Sequence, residues 1–295
     1  MSDFTRRQMI TAGAIAATGL TTAIAAGRST ANPPDTPEAQ SSAADPNGQF
    51  SGKVVLITGA TSGIGATTAK AFAERGASVF FCGRRETLGQ QIEAQIRAGG
   101  GEATYMQADV RRAEEVQAFV EGCIARYDRL DVAFNNAGID YPPAAIADTD
   151  IDEFDDLMNT NARGVFLGMK YEIPYLLQTK GAIINNASIG GHRAFANIVG
   201  YGASKAAVIH MTKMAAQEYG KDIRINAIAP GAIDTPMLDR VKRDWEVSEE
   251  QLVSPYPIQR VGQPEEVAKA VTWLASDAAS YVSGMRFDID GGGLG

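Results

Sequence analysis

Val54-Val55-Leu56-Ile57-Thr58-Gly59-Ala60-Thr61-Ser62-Gly63-Ile64-Gly65 decides the fold. The first four residues form a short β-branched and aliphatic run, the pattern of a buried strand. Gly59 to Gly65 is a glycine-rich turn, and Ile64 to Arg75 carries apolar residues at helical spacing. A cluster of glycines alone marks only a turn. Placed between a strand and a helix, it lets backbone amides approach a pyrophosphate at the positive end of the helix dipole. The segment therefore predicts a dinucleotide site built on Gly59, Thr61, Ser62, Gly63, Ile64 and Gly65.

The same rhythm continues outward. Strand-like runs occupy 77–82, 103–106, 130–135, 182–186, 223–229 and 286–289, and helix-like runs occupy 86–98, 113–127, 201–219 and 265–275. Residues 150–178 read as one long helix or two. Strand and helix alternate, and the strands are apolar on both faces. That combination predicts an α/β fold, a doubly wound parallel sheet of Rossmann type with helices on both faces. The segment 232–263 breaks the rhythm with Pro236, Pro255, Pro257 and many charges. An insertion at the carboxyl ends of strands is where substrates bind in such sheets. Asp234, Trp245 and Tyr256 lie within it and serve equally well as packing or surface residues.

The end of the second strand selects the dinucleotide. A carboxylate there would hold the ribose 2′-hydroxyl of NAD, whereas arginine accommodates the 2′-phosphate of NADP. This chain has Gly83-Arg84-Arg85, so NADP is the expected cofactor, with NAD the alternative. Guanidinium geometry suits phosphate, although two such arginines also fit a plain solvated surface.

Tyr201 and Lys205 stand four residues apart on an expected helix, one turn apart on one face. A Tyr-x-x-x-Lys pair by itself fits a solvated helix face. Its company gives it meaning: a dinucleotide turn upstream and Ser188 just after a strand. An ammonium near a phenol is expected to lower the phenol pKa, so that Tyr201 exchanges a proton with a carbonyl or alcohol oxygen. Ser188 would hold the same oxygen.

These motifs resemble the short-chain dehydrogenase/reductase family from about Phe50 to the C-terminus. Thr58–Gly65 is similar to the family's TGxxxGIG turn, Asn135-Asn136-Ala137-Gly138 to its NNAG motif, and Ser188, Tyr201 and Lys205 to its catalytic serine and YxxxK pair. The resemblance implies that Asn161 completes a catalytic tetrad and that Lys205 also bonds the nicotinamide ribose. It further implies that Asp109 and Val110 bracket the adenine, that Asn136, Ala137 and Gly138 border the cofactor, that Pro230 and Gly231 form the family's cofactor-side PG turn, and that Ile233 and Thr235 grip the carboxamide. Gly83 departs from the Asp of NAD-preferring members. A seven-stranded sheet and a homotetramer joined through helices near 112–127, 151–178 and 200–219 are also implied. The substrate would be a small alcohol or ketone. A 3-oxoacyl-carrier-protein reductase and a cofactor-binding protein without turnover are the competing readings.

Composition narrows the partners. The 295 residues carry a formal net charge of −8 and no basic block, a poor match for nucleic acid or anionic membranes. Cys82 and Cys123 show no metal-binding spacing and read as buried thiols. His192 and His210 lack partners at useful spacing and read as structural, with His192 close enough in sequence to Ser188 to border the site. The N-terminus differs from the rest. Arg6-Arg7 precedes an uncharged stretch over 8–27 that contains Ala23-Ile24-Ala25, the form of a cleavable twin-arginine signal directing the protein to the periplasm. Its Gly/Thr content makes it a poor permanent span. Residues 28–49 read as a proline-containing linker, which leaves 50–295 as one folded domain.

Overall fold

The structure, a computed structural model, describes residues 48–293. The expected signal (1–27) and nearly all of the expected linker (28–49) lie outside the described residues. Seven strands form one sheet: β1 (Val54–Ile57), β2 (Ser78–Gly83), β3 (Glu102–Gln107), β4 (Val132–Asn135), β5 (Ala182–Asn186), β6 (Arg224–Pro230) and β7 (Arg286–Ile289). Their order is β3-β2-β1-β4-β5-β6-β7, and every pairing is parallel. The helices are α1 (Gly63–Ala73), α2 (Glu86–Ala98), α3 (Ala113–Tyr127), α4 (Ile151–Leu157), α5 (Gly164–Thr179), α6 (Val199–Tyr219), α7 (Pro236–Asp244), α8 (Glu249–Val253) and α9 (Pro264–Ala275).

Strand side chains alternate between two cores, as period-two geometry requires. Leu56, Phe80, Ala133, Ile183 and Ile225 pack with Phe119, Met169, Leu176 and Val208 on one face. Val55, Val79, Phe81, Phe134 and Ile184 pack with Ala69, Phe72, Val271 and Leu274 on the other. Phe50, 3% exposed, closes the second core edge-on against Phe72 at 4.9 Å. Both cysteines are buried. Because β1 lies between β2 and β4, the chain reverses its direction of winding there. A crevice opens at the carboxyl ends of β1 and β4, where doubly wound sheets bind ligands.

Two segments differ from the sequence-based expectation. The stretch 150–178 is one continuous helical run whose middle turn, Met158–Arg163, is a π-helix. Apolar periodicity carries no mark of this widening, which redirects side chains and is common at functional sites. The insertion at 232–263 is not wholly irregular. Thr235 caps α7, with its Oγ accepting from Leu238 N at 3.3 Å and Pro236 in the first turn. Ser248 and Gln251 form a capping box on α8. Leu238, Val253 and Val261 give this flap a small cluster of its own. Among the described residues, no helix is long and apolar enough to cross a membrane.

Candidate active site

A cavity of about 830 Å³ lies at the carboxyl ends of the central strands. All the expected dinucleotide-contacting residues line it: Gly59, Thr61 to Gly65, Arg84, Arg85, Asp109, Val110, Asn136 to Gly138, Pro230, Gly231, Ile233 and Thr235. Ser188, Tyr201 and Lys205 line it as well, but Asn161 does not. Trp245 and Tyr256 border it, whereas Asp234 and His192 are not among its lining residues. His192 Nε2 instead lies 3.8 Å from Asp288. His210 is exposed on α6.

The turn is held by the segment after β4. Gly59 has φ +69, and a side chain there would meet the Ala137 backbone at 2.6 Å. Asn136 Nδ2 donates to the carbonyls of Thr58 and Gly59 at 3.1 and 3.0 Å. Thr58 Oγ accepts from the backbone N–H groups of Asn136 and Ala137. Asn186 Nδ2 ties Asn136 Oδ1 to β5 at 2.9 Å, while the buried Asn186 Oδ1 has no partner. Sequence reading took Asn186 only as strand. Its signal was its place as the last residue of a central strand.

Helix α1 starts without a side-chain cap and without an acidic residue in its first turn. Its free N–H groups and positive dipole end are matched to an anion. Arg85 reaches back over the turn and donates to Thr61 Oγ at 2.8 Å and Ser62 Oγ at 2.6 Å. Burial, then Arg240 and Arg84, lower its pKa, so positive charge is concentrated at this rim. A side chain at Gly83 would meet Thr61 Cγ at 2.6 Å, so the NAD-type carboxylate does not fit there unless Thr61 moves. Asp109 is paired to Arg111, which also binds Asp156 at 2.7 Å. These features fit a dinucleotide.

Ser188 caps a 3-10 turn, its Oγ accepting from Gly190 N at 3.1 Å. The turn lies directly on α6, because Gly191 leaves room where a Cβ would strike the Lys205 carbonyl group at 2.7 Å. That contact brings the Ser188 hydroxyl beside the Tyr201 phenol, where it acts to lower the phenol's pKa. Lys205 is 4% exposed and donates from Nζ to the Asn186 carbonyl at 2.8 Å. Asn161 sits in the π turn with its Oδ1 accepting from Ile139 N at 2.8 Å and its Nδ2 donating to Ile139 O and Ser204 Oγ. Ser204 Oγ in turn donates to the Tyr201 carbonyl at 2.7 Å. Asn161 thus braces both the loop after β4 and the Tyr201 helix.

One expectation is corrected. The phenol of Tyr201 is raised above its ordinary pKa rather than lowered. Burial is the main cause, and Asp140 adds to it against the hydrogen bond from Ser188. Lys205 Nζ lies over the ring, 5.8 Å from its centroid, and is committed to Asn186. Burial also lowers the lysine to about 8. Tyr201 is therefore a protonated acid at neutral pH, ready to donate. Asp140 itself is paired with Arg240 of α7 across the mouth of the cavity at 2.5 Å. These two residues are 100 positions apart, a pairing that sequence spacing does not reveal.

Comparison with known proteins agrees with this geometry. The family profile described as "Enoyl-(Acyl carrier protein) reductase" matches residues 59–293. The 2,5-dichloro-2,5-cyclohexadiene-1,4-diol dehydrogenase of Sphingobium indicum is 40% identical over 82% of this chain and 97% of its own. Cyclohexanol dehydrogenase of an Acinetobacter species is 41% identical over 82% of this chain and 95% of its own. The crystal structure of levodione reductase superposes with a TM-score of 0.80 at 37% identity, covering 82% of this chain and 98% of that one. The chain belongs to the short-chain dehydrogenase/reductase family. It is an NAD(P)-dependent oxidoreductase acting on alcohol or carbonyl groups.

Proposed function

We propose that the protein interconverts apolar cyclic secondary alcohols and ketones with NADP(H), Tyr201 serving as general acid and base. The observation that carries this reading is the convergence of Ser188, Tyr201 and Lys205 on one cavity. Its outer wall is apolar, with Phe195, Ile198, Met237, Val241, Trp245 and Leu252. Such a wall favours a ring without charge. The names of the cyclohexanol and cyclohexadiene-diol dehydrogenases point the same way.

When bound, the dinucleotide supplies or accepts the hydride. The chain's residues do the rest. Ser188 holds the substrate oxygen through its hydroxyl, while Tyr201, protonated at rest, gives that oxygen its proton during reduction and takes it back during oxidation. Lys205 anchors α6 to the end of β5 and, lining the cavity, would hold the nicotinamide ribose hydroxyls. Asn161 positions the Tyr201 helix through Ser204. The flap residues and Ile233 cover the chamber and exclude water.

NADP over NAD is supported by Arg84, Arg85 and the constricted Gly83. Among the described residues Arg84 makes no ion pair with a carboxylate, which leaves its guanidinium available to a phosphate. Arg84→Ala is expected to reduce kcat/KM for NADPH roughly 10- to 100-fold, the value of one charge-assisted hydrogen bond, and to change that for NADH by less than about threefold. Steady-state kinetics with both cofactors check this. Equal losses with both would refute the 2′-phosphate assignment.

The second reading, a reductase of carrier-bound acyl groups, draws on the description of the family profile. Assaying cyclic ketones beside an acyl-carrier substrate separates the two. The twin-arginine form of 1–27 supports export of a domain comprising 50–295, joined by the linker 28–49. Because that route carries folded proteins, NADP would be loaded before export. Mass spectrometry of periplasmic protein is then expected to find the bound nucleotide, and finding only empty protein would contradict it. A homotetramer is supported by Phe166 and Met214, 49% and 51% exposed on α5 and α6.

A further inference from the structure

Beneath the site lies a buried acid that the proton chemistry does not use. Glu172 of α5 is 1% exposed and has no cationic partner among the described residues. Its Oε2 accepts from Asn135 Nδ2 at 3.0 Å. Asn135, also 1% exposed, is the last residue of β4 and directly precedes the Asn136–Gly138 segment that borders the cavity. The same Nδ2 reaches Asn185 Oδ1 on β5 at 3.1 Å. Asn185 Nδ2 continues to Thr212 Oγ on α6 at 3.0 Å, and Thr212 Oγ donates to Val208 O at 2.7 Å. One network thus joins the three elements that carry the site.

The network has one open end. Asn135 Oδ1 is buried and without a partner. A Cβ built on Gly168 would lie 2.2 Å from this oxygen and 3.1 Å from Glu172 Oε1, so both oxygens lie beside Gly168. Asn135 Oδ1 lacks a donor there, and a buried acceptor left unpaired is destabilising. A proton on Glu172 supplies that donor.

We infer that Glu172 is a positioning residue held as the neutral acid, donating its O–H to Asn135 Oδ1 and fixing the end of β4 against the glycine-rich turn. Its surroundings agree. Burial pushes the carboxyl up to about 8, with only the Asn135 hydrogen bond acting downward. The titratable groups that sense its charge are Cys82 of β2 and Cys123 of α3, both pushed up to about 12 and therefore neutral. Asn135, Asn185 and Thr212 carry no charge. No neighbouring group favours a carboxylate.

The unfolded chain releases this proton near the ordinary glutamate value of 4.5, whereas the folded chain keeps it to about 8. The stabilising contribution is therefore complete below the lower value and lost as pH rises through the upper one. Gln is a fixed copy of the neutral acid, since its NH₂ donates and its carbonyl accepts. The test compares wild type, Glu172→Gln and Glu172→Ala by NADPH titration and thermal unfolding between about pH 6.5 and 9.5. Lys205 titrates in all three proteins, so the ratio of wild type to Gln variant isolates Glu172. We expect the two to bind NADPH alike near pH 6.5 and the Gln variant to bind it at least about fivefold more tightly near pH 9.5, with its Tm relative to wild type rising between pH 6.5 and about 8. The Ala variant is expected to be weaker throughout. A ratio constant across pH, or a Gln variant no better than Ala near pH 6.5, would overturn the inference. If Ala does not fold, the Gln comparison decides alone. The binding arm rests on assigning the cavity to a dinucleotide and the unfolding arm does not, so the two can fail separately.

Discussion

Tyr201→Phe is expected to lower kcat for ketone reduction by roughly 10³-fold or more while leaving NADPH affinity within about twofold. The substitution removes one hydroxyl and keeps the ring, so the packing of Gly190 and Lys205 around it is preserved. Only the proton donor is lost. Because Tyr201 is raised by burial and Asp140, the wild-type enzyme should also keep its reductase activity well into the alkaline range before the phenol ionises. In the direction of alcohol oxidation the same raised phenol is a handicap, and activity should climb with pH. Rate profiles in the two directions, with a fixed concentration of each cofactor, measure this asymmetry.

Lys205→Met should be nearly as damaging to turnover, about 10²- to 10³-fold, but with a different signature. It also frees the Asn186 carbonyl and removes a cation from the cavity lining, so NADPH binding is expected to weaken together with kcat. Stability moves in the opposite sense at neutral pH. Burial lowers the Lys205 ammonium from 10.5 to about 8, so the folded wild type loses its proton before the unfolded chain does. Wild-type stability relative to the Met variant therefore rises with pH between those two values. The Met variant should unfold at an equal or higher temperature near pH 7, and its advantage should shrink by about pH 10. A variant that is uniformly less stable would mean that Lys205 is mainly structural.

Much of this was legible in the sequence because the deciding signals are local. The β-branched run at Val54–Ile57 and the turn after it define strand, turn and helix within twelve residues. Apolar strands at 182–186 and 223–229 announced a sheet covered on both faces. Each expected cavity residue except Asn161 and His192 lines the cavity, since strand ends in a parallel sheet all open toward one edge. What escaped reading depends on distance or on dielectric. The Asp140–Arg240 pair joins positions far apart in sequence, and the flap helices α7 and α8 take their order from caps and a three-residue apolar cluster. The π turn at Met158–Arg163 leaves no periodic trace, yet it points Asn161 inward, at Ile139 and Ser204. The direction of the Tyr201 shift was misread for a related reason. Spacing on a helix shows that Lys205 is near, but only the fold shows that its Nζ is spent on Asn186 and that desolvation acts on both groups.

Hydride transfer coupled to protonation by Tyr201 is most directly tested by following the label. Purified protein is given cyclohexanone and NADPH deuterated on the transferable hydrogen of the nicotinamide ring, and the alcohol product is examined by mass spectrometry and NMR. One deuterium on the carbinol carbon, formed by the wild type and not by Tyr201→Phe, is the predicted result. Equal deuterated product from both proteins would show that the proton does not come from Tyr201, and unlabelled alcohol from the wild type would contradict hydride transfer from the nicotinamide itself.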